Sequence, residues 1–144
     1  MKIEIDQSGR IEETNRDTVI GFSNDRQFSV CIPARVKRQL LEVFRRRGKP
    51  KLFKYKVFAL GIVILLRRSK ISPKTLSLVI DKEYPGHENL IKDIIWSNFN
   101  PGIEISFESI GKKSKAHYVA YGVFIGKREA DHVAKLSDFT VSKK

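Results

Sequence analysis

The sequence predicts an α/β fold: a mixed β-sheet, made of a three-stranded antiparallel meander plus parallel strands, with helices packed on it. Two observations carry that reading. The first third of the chain holds three short β-rich runs separated by turn residues. Two later apolar runs each give way to apolar residues at helical spacing, and a meander followed by βαβα units makes a mixed sheet. At 144 residues the chain suits one compact domain, 1–144.

The stretch "KIEID" alternates and stops at Gln7-Ser8-Gly9, which reads as a first strand with Asp6 at its end. "DTVIGFSNDRQFSVCIP" is two β-rich runs around Asn24-Asp25-Arg26, a hairpin closed by Pro33. Val36, Leu40, Val43 and Phe44 then recur at helical spacing until Gly48-Lys49-Pro50 stops the helix. A second helix is expected from about Phe53 to Arg68, apolar enough to be buried over much of its surface.

"TLSLVI" is a continuous apolar run, as expected of an interior parallel strand, and Asp81 is its last residue. Leu90, Ile91, Ile94 and Ile95 mark a helix stopped by Asn100-Pro101-Gly102. "IEISFES" alternates as another strand, with Glu104, Ser106 and Glu108 on its other face. A final helix follows from Ala116, Val119, Ala120, Val123 and Phe124, and a second short one over Ala130, Val133 and Ala134.

Charge is distributed unevenly along this chain. Residues 27 to 80 hold 14 of the 28 Lys and Arg with Glu42 as the one acid, whereas the remainder has 14 basic and 15 acidic residues; the net charge of +12 belongs to one segment. Such a field attracts polyanions, of which nucleic acid, DNA or RNA, is the commonest inside a cell; the alternatives are a solvated face that keeps the chain soluble and, less well supported because Gly48 and Pro50 break the run, an anionic membrane surface. The candidate phosphate contacts are Arg45, Arg46, Arg47, Lys49, Lys51 and Lys54, with Lys112, Lys113 and Lys115 in the last third.

One cysteine, Cys31, excludes an intrachain disulfide and a thiolate cluster, so a reducing, cytoplasmic setting is expected. The longest apolar run, residues 57 to 66, is about half of the roughly 20 residues a spanning helix needs, and no membrane association is expected. Neither GxxxxGK[ST] nor GxGxxG occurs, and His87, His117 and His132 have no zinc-motif spacing.

Two acids in this basic chain need an explanation. Asp6 and Asp81 each end an expected strand and each precede a turn, where side chains project into the crevice that binds ligands in open sheets. If the two strands are neighbours, converging carboxylates repel by several kcal/mol unless a divalent ion or a shared proton offsets it. Hard oxygen ligands of this kind suit Mg²⁺ or Mn²⁺. The structural alternative is an Asx-turn at Asp6 and a helix cap at Asp81, each worth about 1 kcal/mol.

The order of elements, the early acid in "IEIDQSG" and the strand-ending acid in "LVIDKEYPGHE" resemble the ribonuclease H-like superfamily, which includes nucleases, DDE transposases and integrases, and the Piwi domain. The resemblance implies two-metal phosphodiester hydrolysis, with two divalent ions ~4 Å apart, one activating water and the other stabilising the leaving oxygen. Asp6 would be the bridging ligand and Asp81 the second. In these families a third ligand comes from the C-terminal helix, here His117, in an "AHYVAY" phrase similar to the Piwi-type helix, or Asp131. His117 sits about 90° from the centre of its helix's apolar face.

Glu83, two residues past Asp81, is a further candidate catalytic carboxylate, or an acid placed at a helix start. The sequence departs from the family at the first helix: Glu42, its one acid, points about 160° away from the apolar face. The expectation is therefore a divalent-metal-dependent nuclease. The alternative is a non-catalytic nucleic-acid-binding protein that keeps the fold, and a homodimer is compatible with either.

Overall fold

The computed structural model describes residues 1–111 and 114–140. The sheet has six strands in the order β5-β4-β1-β2-β3-β6. Its strands are β1 (Lys2–Ser8), β2 (Thr18–Ser23), β3 (Gln27–Ile32), β4 (Ser77–Asp81), β5 (Glu104–Glu108) and β6 (His132–Val133). β1, β2 and β3 form the antiparallel meander; β4 joins β1 in parallel, β5 joins β4 in parallel, and β6 adds a short parallel bridge to β3.

Two faces of the sheet are covered by different helices. On one side lie α1 (Ala34–Arg46), α2 (Phe53–Ser69) and α3 (Glu88–Asn98); on the other lies α4 (Lys115–Phe124). A short helix, α5 (Leu136–Thr140), closes the described chain. The core is the α2 side, where Ile3, Ile5, Ile20, Phe22, Ile32, Leu78 and Ile80 meet Val57, Phe58, Ile62 and Leu65, all buried. α2 carries buried residues around most of its circumference, as expected for a helix enclosed by β-strands, α1 and α3. Gly61 lets it settle on the meander: a Cβ there would lie 2.6 Å from Ile20 Cδ1 and 3.1 Å from Ile32 Cδ1. Among the described residues, no helix is long and apolar enough to cross a membrane.

On the opposite face α4 comes down over β2. Gly21 makes this possible, since a Cβ there would lie 3.0 Å from Val119 Cγ1 and 3.3 Å from the Ala120 backbone nitrogen. Ser114 caps α4, its side chain accepting from the Ala116 N–H at 3.1 Å and donating to Glu4 Oε1 of β1 at 2.7 Å. The helix is thus fastened to the first strand at its N-terminus and seated on the second at its middle.

Two expectations are corrected. β1 does not end at Asp6 but runs on to Ser8, because Gln7 and Ser8 continue the ladder opposite Ile20 and Val19. The short helix expected over Ala130, Val133 and Ala134 is extended instead: His132 and Val133 pair with Val30 and Cys31, and helix begins at Leu136. Three small apolar residues at helical spacing were outweighed by the unpaired edge of β3, which offers ladder hydrogen bonds to any adjacent segment.

Candidate metal centre

β1 and β4 are parallel neighbours in the register Glu4↔Val79, Ile5↔Ile80. One residue further along, Asp6 and Asp81 leave the two strands level with each other. Because successive side chains alternate faces, both point away from the Ile5/Ile80 core and toward the α4 side. Carboxylate oxygens of Asp6, Asp81 and Glu83 lie within 4.8 Å of one another.

Each acid has a distinct fixed environment. Asp6 is 5% exposed; its Oδ1 accepts from the Gln7 N–H at 2.8 Å and its Oδ2 lies 3.1 Å from His117 Nδ1. Asp81 Oδ1 accepts from the Ile110 N–H at 2.9 Å, which ties the β5–α4 connection to the end of β4. It caps no helix, because α3 begins only at Glu88. Glu83 Oε1 accepts from Gln7 Nε2 at 3.2 Å and stands 3.7 Å from the Arg10 guanidinium.

Crowding of these carboxylates shows in their protonation. Burial first, then the negative charge of Asp81, raises Asp6 to about 6 against the opposing pull of the Gln7 N–H and His117. Glu83 is raised to about 7 by burial and by a hydrogen bond and charge repulsion from Asp81. Arg10 offsets only part of the charge, since it is shared with Glu12 at 2.8 Å. Asp6 and Glu83 therefore hold their protons to higher pH than free carboxylic acids do.

The donor set fits a hard divalent cation: clustered carboxylate oxygens with an imidazole beside one of them. Gln7 adds a second sign of an incomplete shell. Gln7 is 7% exposed, its amide N–H groups reach Glu83 and the Tyr84 hydroxyl, and its carbonyl oxygen is buried without a hydrogen-bond partner among the described residues.

The sequence-derived candidates divide into two groups. Asp6, Asp81, Glu83 and His117 come together, His117 from α4, Asp6 from within β1, Asp81 from the end of β4 and Glu83 from the turn after it. Asp131 lies elsewhere, beside β3, where its carboxylate accepts from the Ser29 N–H at 2.9 Å and the Ser29 hydroxyl at 3.3 Å; it is not on a helix. Glu42 is exposed on α1 and pairs with Arg45 and Arg46 at 3.9 and 3.7 Å. Arg45, Arg46, Arg47, Lys49, Lys51 and Lys115 are exposed and Lys54 is half-buried, while Lys112 and Lys113 lie outside the described residues.

Three contributors were not singled out from the sequence. Gln7 and Tyr84 brace the acids: the Tyr84 hydroxyl accepts from Gln7 Nε2 and from the Ile11 N–H, each at 3.2 Å, and donates to Glu12 Oε1 at 3.2 Å. Gly21 is the register partner of Asp6 and admits α4. A glycine inside an apolar β-run was the available signal, since such glycines mark close backbone approach. Glu108, exposed on β5 as the register partner of Asp81, is a further carboxylate on the same face. Burial and the neighbouring Asp17 push the Cys31 thiol up to about 11, which disfavours the thiolate at neutral pH.

Compared with protein-family models, with curated protein sequences and with solved structures, the chain gives no match.

Proposed function

We propose that the protein is a divalent-metal-dependent nuclease acting on DNA or RNA phosphodiester bonds, with a ribonuclease H-like domain. The observation that carries this reading is the convergence of Asp6, Asp81 and Glu83, with His117 against Asp6, at the end of two parallel neighbouring strands. The meander plus parallel strands agrees with the fold that the resemblance implies, and the acids of its two motifs are the ones that meet.

Asp6, Asp81 and Glu83 would hold Mg²⁺ or Mn²⁺ with His117 alongside. A bound divalent ion supplies an activated water and charge stabilisation for a scissile phosphate. This chain's own residues do the rest. The Gln7 N–H and His117 fix both oxygens of Asp6, and the Ile110 N–H fixes Asp81, so that the ligands keep their orientation. The basic segment holds the polyanion by its phosphates.

The test is calorimetric titration with Mn²⁺ and Mg²⁺ beside a cleavage assay on mixed DNA and RNA. Wild type should bind metal and cut; Asp6→Asn and Asp81→Asn should do neither while still binding nucleic acid. Absence of metal binding in wild type would sink the nuclease reading and leave the basic segment as a binding surface.

A further inference from the structure

The loop from Lys82 to His87 has two sides. Glu83 belongs to the acidic centre, Tyr84 is buried beneath it, and His87 emerges on the far side into a groove of about 500 Å³. That groove is lined by Lys51, Lys54 and Tyr55 from the start of α2 and the turn before it, with Leu41, Glu12 and His87. Its volume falls in the range of ligand sites. The groove wall is joined to the metal centre by a short relay: Glu12 accepts from the Tyr84 hydroxyl, which accepts from Gln7 Nε2, which also donates to Glu83.

The chemistry of the lining is specific. Tyr55 and His87 stack with ring centroids 3.6 Å apart and planes 15° from parallel, braced by the edge of Tyr84 against Tyr55 at 5.7 Å. Lys54 Nζ stands 5.3 Å from the Tyr55 centroid. Exposed Lys51, Lys49 and Arg47 continue from it along the connection between α1 and α2. The one acid in the lining, Glu12, is already engaged by Arg10 at 2.8 Å and by Tyr84. A flat aromatic pair with ammonium groups beside it is the arrangement that holds an unpaired base and its phosphates.

Resting on the nucleic-acid reading above, we infer that this groove is a binding site for single-stranded nucleic acid: an unpaired base packs against the Tyr55–His87 pair, and Lys51 and Lys54 hold the flanking phosphates of a strand that continues to the acidic centre. The occupant is a single strand because a base within a duplex has both faces covered by its neighbours.

The experiment is fluorescence anisotropy in EDTA with a labelled oligothymidylate, an abasic oligomer with the same number of phosphates, and a duplex. Wild type should prefer the oligothymidylate to the abasic strand. Tyr55→Ala should lose roughly 5- to 100-fold on oligothymidylate, with the abasic strand and the duplex unchanged, and Tyr55→Phe should restore binding. Lys51→Gln with Lys54→Gln should weaken both single strands and lower the salt slope by about 1 to 2. Photocrosslinking of wild type to a 5-iodouracil oligomer, mapped by mass spectrometry, should mark Tyr55 or His87 and does not depend on how well a variant folds. Binding that ignores Tyr55 and crosslinks only elsewhere would overturn the groove while leaving the nucleic-acid reading intact. No binding of any of the three probes would overturn both.

Discussion

Asp6→Asn should make the protein more stable in EDTA and, on the proposed function, remove metal binding. In the fold the Asp6 carboxyl is raised from 3.8 to about 6 by burial and by Asp81. At neutral pH the ionised form is therefore disfavoured by about 3 kcal/mol relative to the unfolded chain. Asparagine has the same shape and keeps the acceptor for the Gln7 N–H at Oδ1; its amide replaces Oδ2 and can donate to His117 Nδ1. The sign follows from proton counting. Between about pH 4 and 6 the folded wild type holds a proton that the unfolded chain has lost, so wild-type stability falls as pH rises through that window, and Asp6→Asn has no such loss. Thermal melts in EDTA should show no difference near pH 3.5 and Asp6→Asn ahead by roughly 10 °C at pH 7.5, taking ~3–5 °C per kcal/mol for a chain of this length. With Mn²⁺ at about a hundred times its Kd, wild type alone should gain ~2.7 kcal/mol, which brings it level with the variant. A variant that melts at or below wild type in EDTA at pH 7.5 would refute the claim that burial and the neighbouring Asp81 hold the Asp6 carboxyl above its ordinary value.

Three further outcomes follow from the same geometry. Mn²⁺ affinity should rise with pH through about 6 to 7 and then level off, because metal must displace the protons held by Asp6 and Glu83; calorimetry in buffers of different ionisation heat would count those protons. His117→Ala should weaken metal binding by roughly 10- to 100-fold without abolishing it, as expected when a partner that orients a ligand is removed; unchanged affinity would mean that the His117–Asp6 contact is only structural. Gly21→Ala should destabilise the fold by about 1–3 kcal/mol through its clash with Val119 and lower metal affinity by lifting α4, and Val119→Ala in the same chain should recover most of both, read as a double-mutant cycle.

The β-meander, the two parallel strands and α1 to α4 were legible because each is written locally: alternation or apolar runs for strands, helical spacing for helices, Gly and Pro at the breaks. What failed was local information outweighed by context. Residues 130–134 have the composition of a short helix, yet β3 presented an open edge and the chain paired with it. Asp6 looked like a strand end because Gln7-Ser8-Gly9 reads as a turn, but β2 was long enough to hold two more residues in register. In the site, Asp81 at the end of β4, Asp6 two residues before the end of β1 and His117 on a helix flank could be picked out by position. Gln7 and Tyr84 could not, because their role comes from a contact between residues 77 apart in sequence.

The net charge of +12 and the buried acidic group are connected parts of one electrostatic arrangement. On the proposed function, a polyanion drawn to the basic segment would also approach a cluster of carboxylates that repels it and whose Asp6 and Glu83 hold their protons to higher pH than free carboxyls. Among the described residues, Arg10 pairs with Glu83 at 3.7 Å but is shared with Glu12 at 2.8 Å, and Lys51 and Lys54 line the groove beyond Tyr84. A divalent cation held by Asp6, Asp81 and Glu83 would relieve both conflicts, offsetting their charge and presenting positive charge to a phosphate. Salt dependence should therefore differ with metal. On the proposed function, the strand in EDTA should be held by the basic segment alone, and with Mn²⁺ binding should tighten and its salt slope steepen as the phosphate at the acidic centre is added to those already neutralised. If Mn²⁺ leaves the slope and the affinity for single strands unchanged in wild type, the basic segment and the acidic centre do not share a ligand.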